Sequence, residues 1–408
     1  MTGWRYTAAF LSVWLLLLAV PIFLVVVIDP YQVFHRTFLP RVFFYKENER
    51  YQIPGLVKHY LGEATGTDSV VIGTSLSANF LEENIKQTLG WDAVNLSMRG
   101  STLAERSFVM ERAIETGHVR HVIFEINPID FREGVNDPRN DADFPAYLYS
   151  SHLQDKGRYL FNRTVVTQAL ALFRQCYPEL ENALVASVWP VLNVNGWHDG
   201  LHHWIAWMET LEQPAAFQDY STQENRVRLK QQLDAAKKAR APFMGDWRRD
   251  YPFYVVQKNV VAVMRAHPDV TFYIWFPPVN NLRYALEPTM DMTNMAVEMR
   301  RYLVKALADE PNVRLFGLDG ELSITGDLSN YMDTQHFTMR IQQWVLESIA
   351  QGHYQLTGDT VDDYASRLTN NILQADIAVA QSSEVPGAGT YPSAEIAPAA
   401  ETAPPQGH

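Results

Sequence analysis

A single cysteine, Cys176, stands in 408 residues. That scarcity excludes an intramolecular disulfide, a CxxC redox pair and a zinc site built from several thiolates. It fits the cytosol and equally an oxidising compartment where thiols are avoided. Positive charge is also in short supply: 34 Lys and Arg face 46 Asp and Glu, for a net charge of −12. Such a balance argues against nucleic acid as the main partner. No internal repeat is visible. What is present is apolar material, with 47% hydrophobic and 20% charged residues. These values belong to a foldable globular chain and exclude wholesale disorder. The length amounts to two or three domains at about 150 residues each.

Charge is missing altogether from Ala8 to Ile28, which reads AAFLSVWLLLLAVPIFLVVVI. A bilayer takes about 20 apolar residues of helix to cross. Pro21 is tolerated better in such a helix than in a soluble one. Trp4, Tyr6 and Tyr31 flank the run as interfacial anchors do. A cleaved signal peptide would have a shorter apolar stretch and an A-x-A-like site after it. Here Asp29-Pro30-Tyr31 follows, which favours a retained anchor over a signal peptide or a core helix. Arg5 precedes the run, whereas Arg36, Arg41 and Lys46 follow it. By the positive-inside rule alone, that count places the bulk of the chain in the cytoplasm.

The far end, from about Ser382, is rich in Pro, Ala, Gly and Ser and carries one aromatic residue. It cannot bury enough apolar surface to offset chain entropy and reads as a disordered tail. Between the ends, strands are expected at Ser69–Ile72, Ala93–Leu96, His121–Ile126, Val270–Phe276 and Val313–Phe316. Helices are expected around Phe80–Leu89, from Leu103 to about Thr116, at Tyr254–Ala266, at Thr289–Ala308 and at Met339–Gln351. Thr102 and Glu105 form a capping box, and Gly117 and Gly352 follow helix ends. Alternation of this kind predicts an α/β fold, a flavodoxin-like doubly wound parallel sheet of about five strands. Residues from about 132 to 250 break the alternation. They hold Trp189, Trp197, Trp204, Trp207 and Trp247 with a polar helix candidate at Gln223–Arg240, and read as a mostly helical insertion. The domain reading is an anchor over 1–30, one α/β domain over 31–378 and a disordered tail over 379–408.

Loops past the carboxyl ends of parallel strands carry function in such sheets. Ser75, in Gly73-Thr74-Ser75 after the first strand, is a nucleophile candidate or an ordinary N-cap serine. His336 is a general-base candidate that Asp333 could orient; the plain alternative is a surface Asp and a solvated His. Asn95 and Gly100 follow the second strand and Asn127 follows the third. They are candidates for an oxyanion site, or simply turn residues. His198, His202 and His203 have a metal-like spacing but no obvious carboxylate beside them, so no metal is assigned. The tryptophans are read first as insertion core and second as a surface for sugar rings.

Taken in order, Val71-Ile72-Gly73-Thr74-Ser75, then Asn95-Leu96-Ser97-Met98-Arg99-Gly100, then Asn127, then Tyr331-Met332-Asp333-Thr334-Gln335-His336 resemble the SGNH/GDSL hydrolase superfamily. The resemblance covers 65–131 and 252–352. G-T-S stands where the family has G-D-S. Glu125-Ile126-Asn127-Pro128 stands where it has G-x-N-D, so its glycine and aspartate are missing. With the anchor and Asp29-Pro30-Tyr31, the chain looks like a membrane-anchored bacterial subgroup. That subgroup includes the D-alanine transfer protein of teichoic-acid modification and the periplasmic acetylation proteins of alginate synthesis.

The resemblance implies catalytic Ser75, His336 and Asp333, with Gly100 and Asn127 or Asn95 at the oxyanion, and neither cofactor nor metal. It implies an acyltransferase or esterase for O-acyl groups, O-acetyl above all, on a cell-surface or exported polysaccharide. The partners would be that glycan, the bacterial inner membrane and a multi-spanning membrane O-acyltransferase, with no nucleic acid. It further implies a single-pass protein of the cytoplasmic membrane with its domain in the periplasm, against the charge count. Two other readings stand beside it: a degenerate fold of the same type that binds glycan or serves a membrane acyltransferase, and a cytoplasm-facing lipid esterase.

Overall fold

Short β-branched and aromatic runs form the centre of the molecule. In order they are β1 (Ser69–Ile72), β2 (Ala93–Asn95), β3 (His121–Glu125), β4 (Thr271–Phe276), β5 (Val313–Gly317) and β6 (Gln355–Leu356). The computed structural model describes residues 3–35, 49–62, 65–78, 80–127, 130, 144–176, 227–228, 230–232, 234–235, 251–286, 292–327, 330–331 and 334–373. The six strands form one sheet in the order β2-β1-β3-β4-β5-β6. All neighbours are parallel except β5 and β6, where Leu315 faces Leu356 in antiparallel pairing. The parallel strands thus run 2-1-3-4-5, the order of the doubly wound flavodoxin type. The expected five strands are present, and the sixth is an addition: a two-residue strand that covers the β5 edge.

Helices before and between the strands are α1 (Gly3–Ile28), α2 (Glu49–Tyr60), α3 (Glu82–Leu89), α4 (Leu103–Ile114), α5 (Leu153–Leu160) and α6 (Arg163–Cys176). Tyr251–Val256, a π turn at Gln257–Val261 and Ala262–Ala266 together form α7. Then come α8 (Asn281–Ala285), α9 (Met292–Ala306), α10 (Leu322–Thr325), α11 (Met339–Gln351) and α12 (Val361–Leu373). The capping box of α4 is formed, with the Thr102 side chain accepting from the Glu105 N–H and the Glu105 carboxylate accepting from the Thr102 N–H. Gly352 ends α11 in the left-handed conformation, φ 68°. Thr338 occupies the N-cap position of that helix without a side-chain capping bond.

One core joins both faces of the sheet, from Val70, Val71 and Ile72 to Phe272, Ile274 and Trp275, with Met110, Leu303, Val345 and Leu368 from the helices. A second cluster joins Val25 and Ile28 of α1 to Tyr31, Tyr51, Tyr159, Val165 and Leu172. Across 132–250, the described segments are α5, α6, a 3-10 turn at Ala146–Tyr149 and helical residues between 227 and 235. The five tryptophans, the three histidines near 200 and the tail lie outside the described residues.

The first helix is long and apolar enough over Tyr6–Ile28, 23 residues, to cross a membrane. Trp4, Tyr6, Phe10 and Phe23 are exposed along it. Its end is fixed by Asp29, a fully buried residue at φ 42°. One carboxylate oxygen of Asp29 accepts from the Val33 N–H (3.0 Å) and the Tyr159 hydroxyl (2.9 Å). The other accepts from the N–H groups of Phe34 (2.7 Å) and His35 (2.8 Å).

Candidate functional site

The strand order reverses direction between β1 and β3, and in open α/β sheets ligands bind past the carboxyl ends of the strands at such a switch. Two residues bearing polar chemistry meet there. Ser75 follows β1 and His336 lies between β5 and α11. Their side chains are hydrogen-bonded, Oγ to Nε2, at 2.8 Å across 261 positions of sequence. Both are half-buried. A hydroxyl held on an imidazole nitrogen at this distance is the geometry of a base-activated nucleophile.

The turn that carries Ser75 is held from below. Glu125 ends β3 fully buried. One of its carboxylate oxygens accepts from the Thr74 N–H (2.9 Å) and the Ser77 hydroxyl (2.5 Å). The other accepts from the Thr74 hydroxyl (2.6 Å) and, at 3.4 Å, from the Asn127 amide. A carboxyl group buried this deeply is costly unless its oxygens have such partners. Gly73 makes room for it: a Cβ there would stand 2.1 Å from Ser77 Oγ and 2.5 Å from Glu125 Oε2. Residue 74 faces a carboxylate and donates to it, which suits a threonine there and not an aspartate.

The loop after β3 has its own buried support. Arg106 of α4 donates to the Glu125 carbonyl (2.6 Å) and forms a fully buried ion pair with Asp130. Asp130 in turn accepts from the Asn127 N–H at 2.7 Å. Burial pushes the Asp130 carboxyl above its ordinary value against the pull of Arg106. The loop after β2 is tied to β1 by the Met98 N–H and the Ser101 hydroxyl, both donating to the Gly73 carbonyl (2.9 and 3.2 Å). Gly100 lies exposed at φ 59°, a conformation few side chains tolerate. Arg50, paired with Glu105, donates to its carbonyl at 3.2 Å.

Three sequence expectations need restating. Ser75 is not the N-cap of α3: that position is Leu81, and Ser75 lies in a separate turn closed by Ser77 N–H to Thr74 O (3.2 Å). Asn95, an oxyanion candidate, has its amide engaged within the chain. Its amide donates to the carbonyls of Ser77 (2.9 Å) and Phe80 (3.0 Å), and its oxygen accepts from the Ser97 N–H (3.0 Å). It staples the loop that follows Ser75. Asp333 lies outside the described residues. The carbonyl of Thr334, the next residue, accepts from the Asn280 N–H at 3.1 Å.

Glu125 and Arg106 were passed over in the sequence. The available signal was a glutamate closing an otherwise apolar strand, His121-Val122-Ile123-Phe124-Glu125. Near the same loops, Asn280 and Asn281 are buried and carry amide atoms without a hydrogen-bond partner. Buried amides of this kind ordinarily bind ordered water or a ligand's polar group. Among the described residues, no group of three or more His, Cys, Asp or Glu is placed to hold a metal ion. Against family models, characterised proteins and solved structures, the chain shows no match.

Proposed function

We propose that this chain is a membrane-anchored serine acyltransferase or esterase that acts on O-acyl groups, O-acetyl above all, of a cell-surface or exported polysaccharide. The observation that carries the reading is the Ser75–His336 hydrogen bond at the switch point of the sheet. The order Ser, Gly, Asn, His along the chain supports an SGNH-like arrangement. His336 Nε2 takes the Ser75 proton as Oγ attacks the acyl carbonyl. The oxyanion is received by the N–H groups of Ser75 and Gly100 and by the Asn127 amide. Collapse returns the proton to the leaving oxygen and leaves an acyl-serine. A sugar hydroxyl or water, deprotonated by His336, then takes the acyl group and restores Ser75. Asp333 is assigned to orient the imidazole. α1 holds the domain to the cytoplasmic membrane, with the domain on the periplasmic side beside a multi-spanning acyl donor.

The test is the full chain in detergent, treated with a fluorophosphonate probe and with a chromogenic acetyl ester. Wild type labels and turns over, whereas Ser75→Ala and His336→Ala lose about a thousandfold or more. One observation favours the second reading, a glycan-binding or accessory subunit without turnover: the Asn127 amide faces Glu125 at 3.4 Å. Wild type inert to both reagents would point to that reading, or to a site that forms only beside its membrane partner. A reporter fused after Ala378 tests the orientation, and a cytoplasmic signal would sink the periplasmic assignment.

A further inference from the structure

The level at which α1 leaves a bilayer can be counted. Trp4 and Tyr6 are 80% and 76% exposed at the start of the helix, where aromatic side chains sit in the headgroup region. A hydrocarbon layer of about 30 Å takes about 20 residues at about 1.5 Å each. The opposite headgroup level then falls between Leu24 and Val26. At that level α1 stops being bare: Val25 and Ile28 are buried against Tyr159, Val165, Ala169 and Leu172. The partner that covers them is α6, with α5 beside it.

Sequence and exposure agree with that depth. No charge occurs between Arg163 and Arg174, a stretch reading TVVTQALALF, so α6 lacks the charged outer face of a helix facing water. At the two ends of α5, Leu153 is 84% and Phe161 is 68% exposed. Basic Lys156, Arg158 and Arg163 lie around them against one acid, Asp155. Apolar side chains interleaved with an excess of cations are the pattern of an interfacial helix on an anionic lipid surface. The elbow cannot drift from α1, because Asp29 ties the end of α1 to the Tyr159 hydroxyl.

We propose that the α5–α6 elbow is a second membrane contact, with Leu153 and Phe161 seated among lipid headgroups beside α1. It rests on α1 being a membrane anchor, so the test reads both. Cys176→Ser empties the chain of thiols, and single cysteines at Val13, Leu153, Phe161 and Leu322 carry an environment-sensitive fluorophore. The full chain is reconstituted in vesicles of phosphatidylcholine and phosphatidylglycerol, with lipids brominated either near the headgroup or deep in the acyl chain.

Labels at Leu153 and Phe161 are expected to lose about half their emission to shallow bromines. The label at Val13 should lose it to deep ones, and the label at Leu322 to neither. Quenching at Val13 with none at Leu153 or Phe161 overturns the elbow and leaves the anchor standing. No quenching at Val13 overturns the anchor and the elbow with it. If Leu153 and Phe161 are shielded in native membranes but not in these vesicles, a membrane protein covers the elbow and the lipid proposal fails.

Discussion

Aspartate at position 74 would set a second carboxylate against Glu125, in place of the hydroxyl that now donates to it at 2.6 Å. Thr74→Asp is therefore expected to destabilise the fold by about 2–4 kcal/mol. Adding Glu125→Gln, whose amide can donate to the new carboxylate, should recover much of that loss. A double-mutant cycle on urea midpoints reads the coupling directly, and strictly additive effects would contradict the contact. Glu125→Ala strands the Thr74 N–H and the Ser77 hydroxyl, at about 1–3 kcal/mol each, and loosens the turn under Ser75. At this scale the meeting of Ser75 and His336 was legible, because loops past the carboxyl ends of parallel strands lie at one edge of the sheet. Glu125 was not: whether a strand-ending carboxylate faces water or a neighbouring loop is decided by which strand pairs beside it. The partners of Asn95 were hidden for a related reason, since an asparagine in a loop looks the same whether its amide is spare or spent on carbonyls.

Helices whose ends carry their own chemistry were readable as elements. The Thr102–Glu105 box and Gly352 mark α4 and α11 at or within two residues of their bounds. By contrast α2 and α12 went unread, and α5 and α6 were expected only as parts of a mostly helical insertion. α12 packs on α8 and α9, and α6 packs on α1, pairings that no local pattern announces, and β6 is two residues long, too short for any period. Close docking of this kind is testable at Gly55 of α2, where a Cβ would stand 2.2 Å from the Tyr31 carbonyl oxygen. Gly55→Ala should cost about 1–3 kcal/mol. Amide exchange should rise at Val33, Phe34 and His35 as the Asp29 collar loosens. An unchanged exchange pattern would mean α2 does not brace the collar.

The strand β3 supplies a pH dependence. The His121 ring stacks on Trp91 at 4.3 Å, and burial holds its pKa below the ordinary 6.5 despite nearby Asp68. Above that value both folded and unfolded chains are neutral at this residue. Below it the unfolded chain takes up the proton first, so stability falls with falling pH. Thermal midpoints between about pH 7 and pH 5 should fall less steeply in His121→Phe than in wild type. Equal slopes would contradict the assignment.

For the molecule as a whole, the sheet order was legible from the alternation of strands and helices, while the sixth strand and the fit of α1 onto α6 were not. Both depend on contacts between distant parts of the chain. The hydrogen bond from Ser75 to His336 has one more consequence, and it concerns time. Synthesis at about 5–20 residues per second puts roughly 13–50 seconds between the emergence of these two side chains. Through that interval the Ser75 hydroxyl exists without its imidazole partner, and β4, β5 and the loop before α11 must still be added to the sheet. A chain cut short anywhere before residue 336 would carry Ser75 without that hydrogen bond. Under the proposed acyl transfer, the nascent protein would hold no complete site until residue 336 is added.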